Sequence, residues 1–149
     1  MPPFERTLFV GWGDLDFNGH MKNTSYLDRC GDVRMMFFAD RGFSMREFEK
    51  LRFGPVISRD ELDYRRELRL LEQFRVTLVA AGLSEDGSRF RLRNEFFNMS
   101  GDRVARVTST GGWLDLERRK LATPPADLRI AMEALTRADD FEVLPSSRS

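Results

Sequence analysis

The sequence predicts an α+β domain in which an antiparallel sheet wraps around one long apolar helix. Three observations carry this. A short apolar run, Thr7-Leu8-Phe9-Val10, reads as an opening strand. A broad apolar stripe at helical spacing follows it over residues 24–38. Alternating apolar and polar residues, broken by glycine turns, then run from residue 56 to residue 116. Residues 1–138 form one domain in this reading, and residues 139–149 form a polar tail.

Each element has a local cause. The opening strand runs into Gly11-Trp12-Gly13 and a polar turn from Asp14 to Asn23. Ser25-Tyr26-Leu27-Asp28 fits a capping box, placing a helix start near Thr24. Tyr26, Leu27, Cys30, Val33, Met36 and Phe37 form its apolar stripe, widened by Met35 and Phe38. Gly31 weakens that helix but admits a close neighbour, and Gly42 stops it. Ser44-Met45-Arg46-Glu47 is a second capping box, opening a short helix to about Leu51, with Gly54-Pro55 as its breaker. From Val56 the chain reads as strand, with Leu62, Tyr64 and Arg66 on one face and Asp63, Arg65 and Glu67 on the other. Phe74, Val76, Leu78 and Ala80 mark the next strand. Asp86-Gly87 signals a hairpin into a strand carrying Phe90, Leu92, Asn94 and Phe96. After Ser100-Gly101-Asp102 comes a long strand from Val104 to Leu116, with Gly111-Gly112 as its bulge or bend. Thr123-Pro124 caps and starts a last helix.

Composition narrows the function classes. Lys+Arg and Asp+Glu both total 24, so no global basic field exists to hold nucleic acid. The single cysteine, Cys30, excludes an internal disulfide and fits a reducing, cytoplasmic setting. No apolar run is long enough to span a membrane, and the N-terminus lacks a secretory pattern.

The densest chemistry lies in Asp14-Leu15-Asp16-Phe17-Asn18-Gly19-His20, which holds the only histidine of the chain. Asp14, Asp16, Asn18 and Gly19 match the start of an EF-hand calcium loop. Ser25 stands where that loop needs its bidentate Glu, however, and a strand enters where a helix is required. A transition-metal site from Asp14, Asp16 and His20 lacks further histidine support. A plain surface turn accounts for Asp, Asn and a positive-φ Gly19. It does not account for a carboxylate set just before the start of the most buried helix, where free N–H groups and the positive dipole end lie.

These residues resemble the hotdog-fold thioesterases. The stretch from Asp14 to Leu27 is similar to the D-x-D-x-x-G-H-x-x-N-x-x-Y-L pattern of the 4-hydroxybenzoyl-CoA thioesterase-like group, with Asp16 on the catalytic carboxylate. It is also similar to the D-L-D-x-N-x-H-x-x-N-x-x-Y run of plant acyl-ACP thioesterases, matching Asp16, Asn18, His20, Asn23 and Tyr26. Far downstream, Leu62-Asp63-Tyr64-Arg65-Arg66-Glu67 resembles the L-E-Y-R-R-E segment of those enzymes, whose final Glu falls on Glu67. The cysteine that follows there is Leu68 here, so no cysteine nucleophile stands at that position.

The resemblance implies a hotdog fold and hydrolysis of an acyl- or aryl-CoA, or acyl-carrier-protein, thioester. Asp16 would be nucleophile or general base, and backbone N–H groups near Asn23 would polarise the carbonyl. Asn18 and His20 would position water or orient Asp16, with Glu67 supporting water from a facing strand. No metal and no cofactor beyond the CoA of the substrate is implied. Single-domain members place the acyl channel at a subunit interface, so a homodimer at minimum, and commonly a homotetramer, is expected. Met35, Met36, Phe37 and Phe38 are candidates to line an acyl or aryl channel, but most of them are read as core packing. Arg118-Arg119-Lys120 and the row Arg89, Arg91, Arg93 are candidates for CoA phosphates, although a solvated strand face or turn is the more common role for any one of them. Two rivals keep the fold: a hydratase or dehydratase on hydroxyacyl thioesters, and a non-catalytic acyl-CoA-binding protein.

Overall fold

The computed structural model of the chain describes residues 2–146. The elements run β1 (Phe4–Phe9), α1 (Asn23–Asp40), α2 (Met45–Leu51), β2 (Phe53–Tyr64), β3 (Gln73–Ser84), β4 (Arg89–Asn98), β5 (Arg103–Asp115), β6 (Lys120–Leu121), α3 (Ala126–Glu133) and β7 (Arg137–Leu144). The main sheet has the order β1-β3-β4-β5-β2, and its pairings along this path are antiparallel. The expected α+β architecture, a curled antiparallel sheet around α1, is the one observed.

The core lies between α1 and the inner face of the sheet. Tyr26, Cys30, Val33, Phe37 and Phe38 of α1 are buried against Phe74, Val76 and Leu78 of β3, Phe90, Leu92 and Phe96 of β4, and Val107 and Trp113 of β5. The period-two burial of β4 follows its sequence: Phe90, Leu92, Asn94 and Phe96 face inward. Aromatic edges add specificity, with Phe37 against Phe4 and Phe38 against Trp113, at 5.2 and 5.3 Å between ring centres. Phe37 and Phe38 are thus core, whereas Met36 is exposed. The helical stripe carries an unexpected member, Arg34. Its guanidinium is buried and donates to Asn94 Oδ1 at 3.1 Å and to Ser109 Oγ. Ser109 in turn donates to Asp60 of β2.

Several local expectations are corrected. The cap of α1 is not Ser25: Lys22 occupies that position in extended geometry, and the Ser25 hydroxyl turns away to the Asp14 carbonyl. The second capping box does form, with the Glu47 N–H donating to Ser44 Oγ at 3.3 Å. Helix α2 does end at Leu51, as expected, but left-handed Arg52 closes it, and Gly54-Pro55 lie inside β2. The bulge near Gly111-Gly112 belongs to the partner strand: the register shifts between Ile57 and Arg59 of β2. Gly111 is needed there because a Cβ would sit 1.9 Å from the Val56 carbonyl oxygen. Helix α3 begins at Ala126, after Pro125, rather than at Pro124.

The largest correction concerns the polar tail expected over residues 139–149. Arg137–Leu144 is instead strand β7, parallel to the second half of β3, on the edge whose first half β1 occupies. Its Asp140 and Glu142 pair with Arg93 and Arg91 on the outer face of the sheet. Alternating charges that look solvated in the sequence are thus cross-strand pairs. Residues 147–149 of that expected tail lie outside the described residues. Among the described residues, no helix is long and apolar enough to cross a membrane.

Candidate active site

The polar turn between β1 and α1 is built by its own backbone and by two carboxylates with different surroundings. Asp14 faces inward. It accepts from the Gly11 N–H at 2.8 Å and from the Arg29 guanidinium at 2.5 Å. Burial raises its pKa, but these donors outweigh burial and hold it below the ordinary carboxylate value. The Asp14 carbonyl also accepts from the Lys22 N–H at 2.8 Å. Asp14 therefore ties the turn to the start of α1.

Asp16 faces solvent. Its Oδ1 accepts from the N–H groups of Asn18 and His20 at 2.8 and 3.2 Å. Its backbone N–H donates to the His20 carbonyl at 2.8 Å, and Gly19, at φ 79°, closes the turn onto the Asp16 carbonyl. Among the described residues nothing bonds to Oδ2. One carboxylate oxygen is thus tethered while the other is presented outward.

The second contributor is the segment after β2. Tyr64 ends the strand, so Glu67 stands on a loop, not on the facing strand expected for it. Three contacts hold this loop to the turn: Met21 N–H donates to the Leu68 carbonyl at 2.8 Å, His20 bridges to Arg69, and Leu71 N–H donates to Val10. Glu67 Oε2 consequently lies 3.0 Å from His20 Nε2. The pair orients the imidazole, with Nε2 as the ring atom that meets Glu67.

Asp16, Asn18, His20, Asn23 and Glu67 all line one cavity of about 220 Å³, together with Met21, Tyr26, Tyr64 and Arg66. The structure thus brings together the residues named from sequence. Asn23 is the first residue of α1, whose opening N–H groups have no partner within the helix. Reasoning from sequence missed Tyr64 and Arg66 as wall residues, although the Tyr64-Arg65-Arg66-Glu67 run was the available signal. Tyr26 and Tyr64 meet edge to face at 5.2 Å, and burial pushes the Tyr26 hydroxyl up to about 12, so it stays a neutral phenol. Two separate apolar cavities lie further along α1 beside β2. One contains Gly31, Arg34, Met35 and Ile57, and the next contains Met35, Met45, Phe53 and Leu116. Among the described residues, no group of three or more His, Cys, Asp or Glu side chains is placed to hold a metal ion.

A curled antiparallel sheet around one helix, with a carboxylate turn at the helix start, defines the hotdog class. The model of the thioesterase-like superfamily matches residues 10–132. The chain belongs to that superfamily and is a hotdog-fold thioester hydrolase. Solved structures agree on the fold. A 1,4-dihydroxy-2-naphthoyl-CoA thioesterase from Synechocystis superposes with a TM-score of 0.80 at 18% identity, over 90% of this chain and 98% of that one. A Staphylococcus aureus protein solved in complex with CoA gives 0.81 at 23% identity, over 89% and 82%. YbaW, a probable thioesterase from Escherichia coli, gives 0.74 at 21% identity, over 89% and 98%. No curated protein matches the chain.

Proposed function

We propose that this enzyme hydrolyses acyl- or aryl-CoA thioesters, with acyl-carrier-protein thioesters as the alternative carrier, and that Asp16 is the reacting carboxylate. The observation that carries this is the tethering of Asp16 Oδ1 by two backbone N–H groups, with Oδ2 left without a hydrogen-bond partner among the described residues and Asp16 on the wall of the cavity at the α1 start. That geometry fixes a nucleophile or base beside N–H donors suited to a developing oxyanion.

Two routes use it. In one, Oδ2 attacks the thioester carbon, the C–S bond breaks, the thiolate takes a proton, and water then cleaves the mixed anhydride to acid and free Asp16. In the other, Asp16 takes a proton from water as that water attacks, and the thiol leaves protonated. In both, N–H groups of Asn23 and Thr24 polarise the carbonyl, His20 held by Glu67 positions water, and Asn18 keeps the turn closed. CoA enters as substrate, and no further cofactor is required.

The fold relatives that act on or bind CoA support this carrier. The apolar cavities beside Met35 suit the acyl group. Among the described residues, strand β2 is a sheet edge that pairs with β5 alone, and it carries exposed Ile57 and Tyr64. We therefore propose a homodimer joined through this face, with dimers associating into a homotetramer, in a cytoplasmic setting. Free-thiol release from a panel of acyl- and aryl-CoA substrates tests the reading. Turnover of at least one is expected. No release from any of them at high enzyme concentration would sink it, and hydration of an enoyl-CoA without thiol release would favour the hydratase rival.

A further inference from the structure

Beside the catalytic cavity lies a second, open cavity of about 410 Å³, lined by Arg65, Arg66, Asp102 and Arg103. Arg66 belongs to the walls of both. The cluster is built by the backbone. The N–H groups of Arg65 and Arg66 both donate to the Val104 carbonyl, at 2.9 and 3.2 Å, pinning this turn against β5 beside Arg103.

The charge there is unbalanced. Three guanidiniums face one carboxylate. Among the described residues, neither Arg65 nor Arg66 forms an ion pair. Arg103 shares Glu95 with Arg106, so that carboxylate serves two cations, and Arg103 Nε is buried without a partner. Most other sheet arginines differ: Arg75, Arg91 and Arg93 each hold their own carboxylate. The row Arg91 and Arg93 is thus already neutralised by β7. Two guanidiniums without an ion pair, and a third that shares its carboxylate, lining one open pocket are suited to bidentate recognition of phosphate.

We propose that Arg65, Arg66 and Arg103 form a phosphate subsite that holds the phosphorylated end of the pantetheine arm while the thioester lies at Asp16. This rests on the thioesterase reading but makes a separate claim. The phosphate is chemistry shared by CoA and by the phosphopantetheine of a carrier protein. Arg66, on the shared wall, marks where the arm passes from one cavity to the other.

Calorimetric titration of the full chain with CoA, 4′-phosphopantetheine and pantetheine tests it. CoA should bind at least about tenfold tighter than pantetheine, the value of one charge-assisted contact. That advantage should shrink with added salt. It should fall about tenfold in Arg65→Gln and further in Arg65→Gln/Arg66→Gln, while Arg65→Lys keeps part of it. Arg65 is exposed, so its replacement leaves the fold intact. If 4′-phosphopantetheine matches CoA, the bound phosphate is the one common to both carriers. If it binds like pantetheine, the phosphate common to both carriers is not held, and the subsite as proposed is overturned. Equal binding of CoA and pantetheine, or an unchanged CoA affinity in both glutamine variants, would overturn the subsite even in an active hydrolase. Absence of thiol release with the phosphate preference intact would overturn the hydrolase reading alone.

Discussion

Asp14 and Asp16 stand two residues apart and have opposite surroundings. Asp14 is a clamp. Its folded pKa lies below the ordinary value because the Gly11 N–H and Arg29 outweigh its burial. Stability from such a group is complete above the unfolded carboxylate pKa of about 4 and is lost as pH falls through the lower folded value. Asp14→Asn should therefore cost about 2 kcal/mol at neutral pH and flatten the acid limb of a urea-unfolding series. Parallel acid limbs for variant and wild type would refute the clamp. Cys30 illustrates the opposite case. Burial pushes its thiol to about 12, so it stays protonated and enclosed. A disulfide reagent at pH 8 should leave the native enzyme unlabelled and react on unfolding, and rapid native labelling would contradict this. At this scale the sequence was legible where short-range chemistry decides. Asp16, Asn18, Gly19 and His20 make their bonds within one turn. The His20–Glu67 pair was not legible, because it depends on how a distant loop meets that turn.

At the scale of elements, periodicity placed the helices and strands but not their junctions. The α1 cap was misread because Ser25 has a tertiary partner, the Asp14 carbonyl, that local pattern does not show. Arg34 was passed over because a charged residue within an apolar stripe looks exposed. Asn94 and Ser109, from two neighbouring strands, make its burial tolerable. The two glycines of β5 read as a bend, yet the reason for Gly111 lies on β2, and that for Gly112 in the Ser88 carbonyl before β4. Gly111 accepts the Val56 carbonyl at a distance no side chain permits. Gly111→Ala should separate β2 from β5 and destabilise the enzyme by about 3 kcal/mol or more, read from thermal or denaturant unfolding. Loss below about 0.5 kcal/mol, the scale of a neutral surface change, would show that the strands do not need this contact.

For the whole molecule, one sheet wrapped on one helix was readable because long segments with a clear period dominate the chain. Strand β7 was not, because Arg137–Leu144 is largely polar and gains its strand form from the β3 edge and from Arg91 and Arg93. The opposite edge, β2, lacks any such cover among the described residues. Light scattering after size exclusion should give at least a dimer, and a monomer at micromolar concentration would contradict the proposed use of this face. The central claim is that the enzyme acts through Asp16. It is tested most directly by free-thiol release from the best acyl-CoA substrate, comparing wild type with Asp16→Asn at matched folding. A fall of at least about a hundredfold in kcat is predicted, because the asparagine keeps the turn but can neither attack nor take a proton. Release at the wild-type rate would contradict the account.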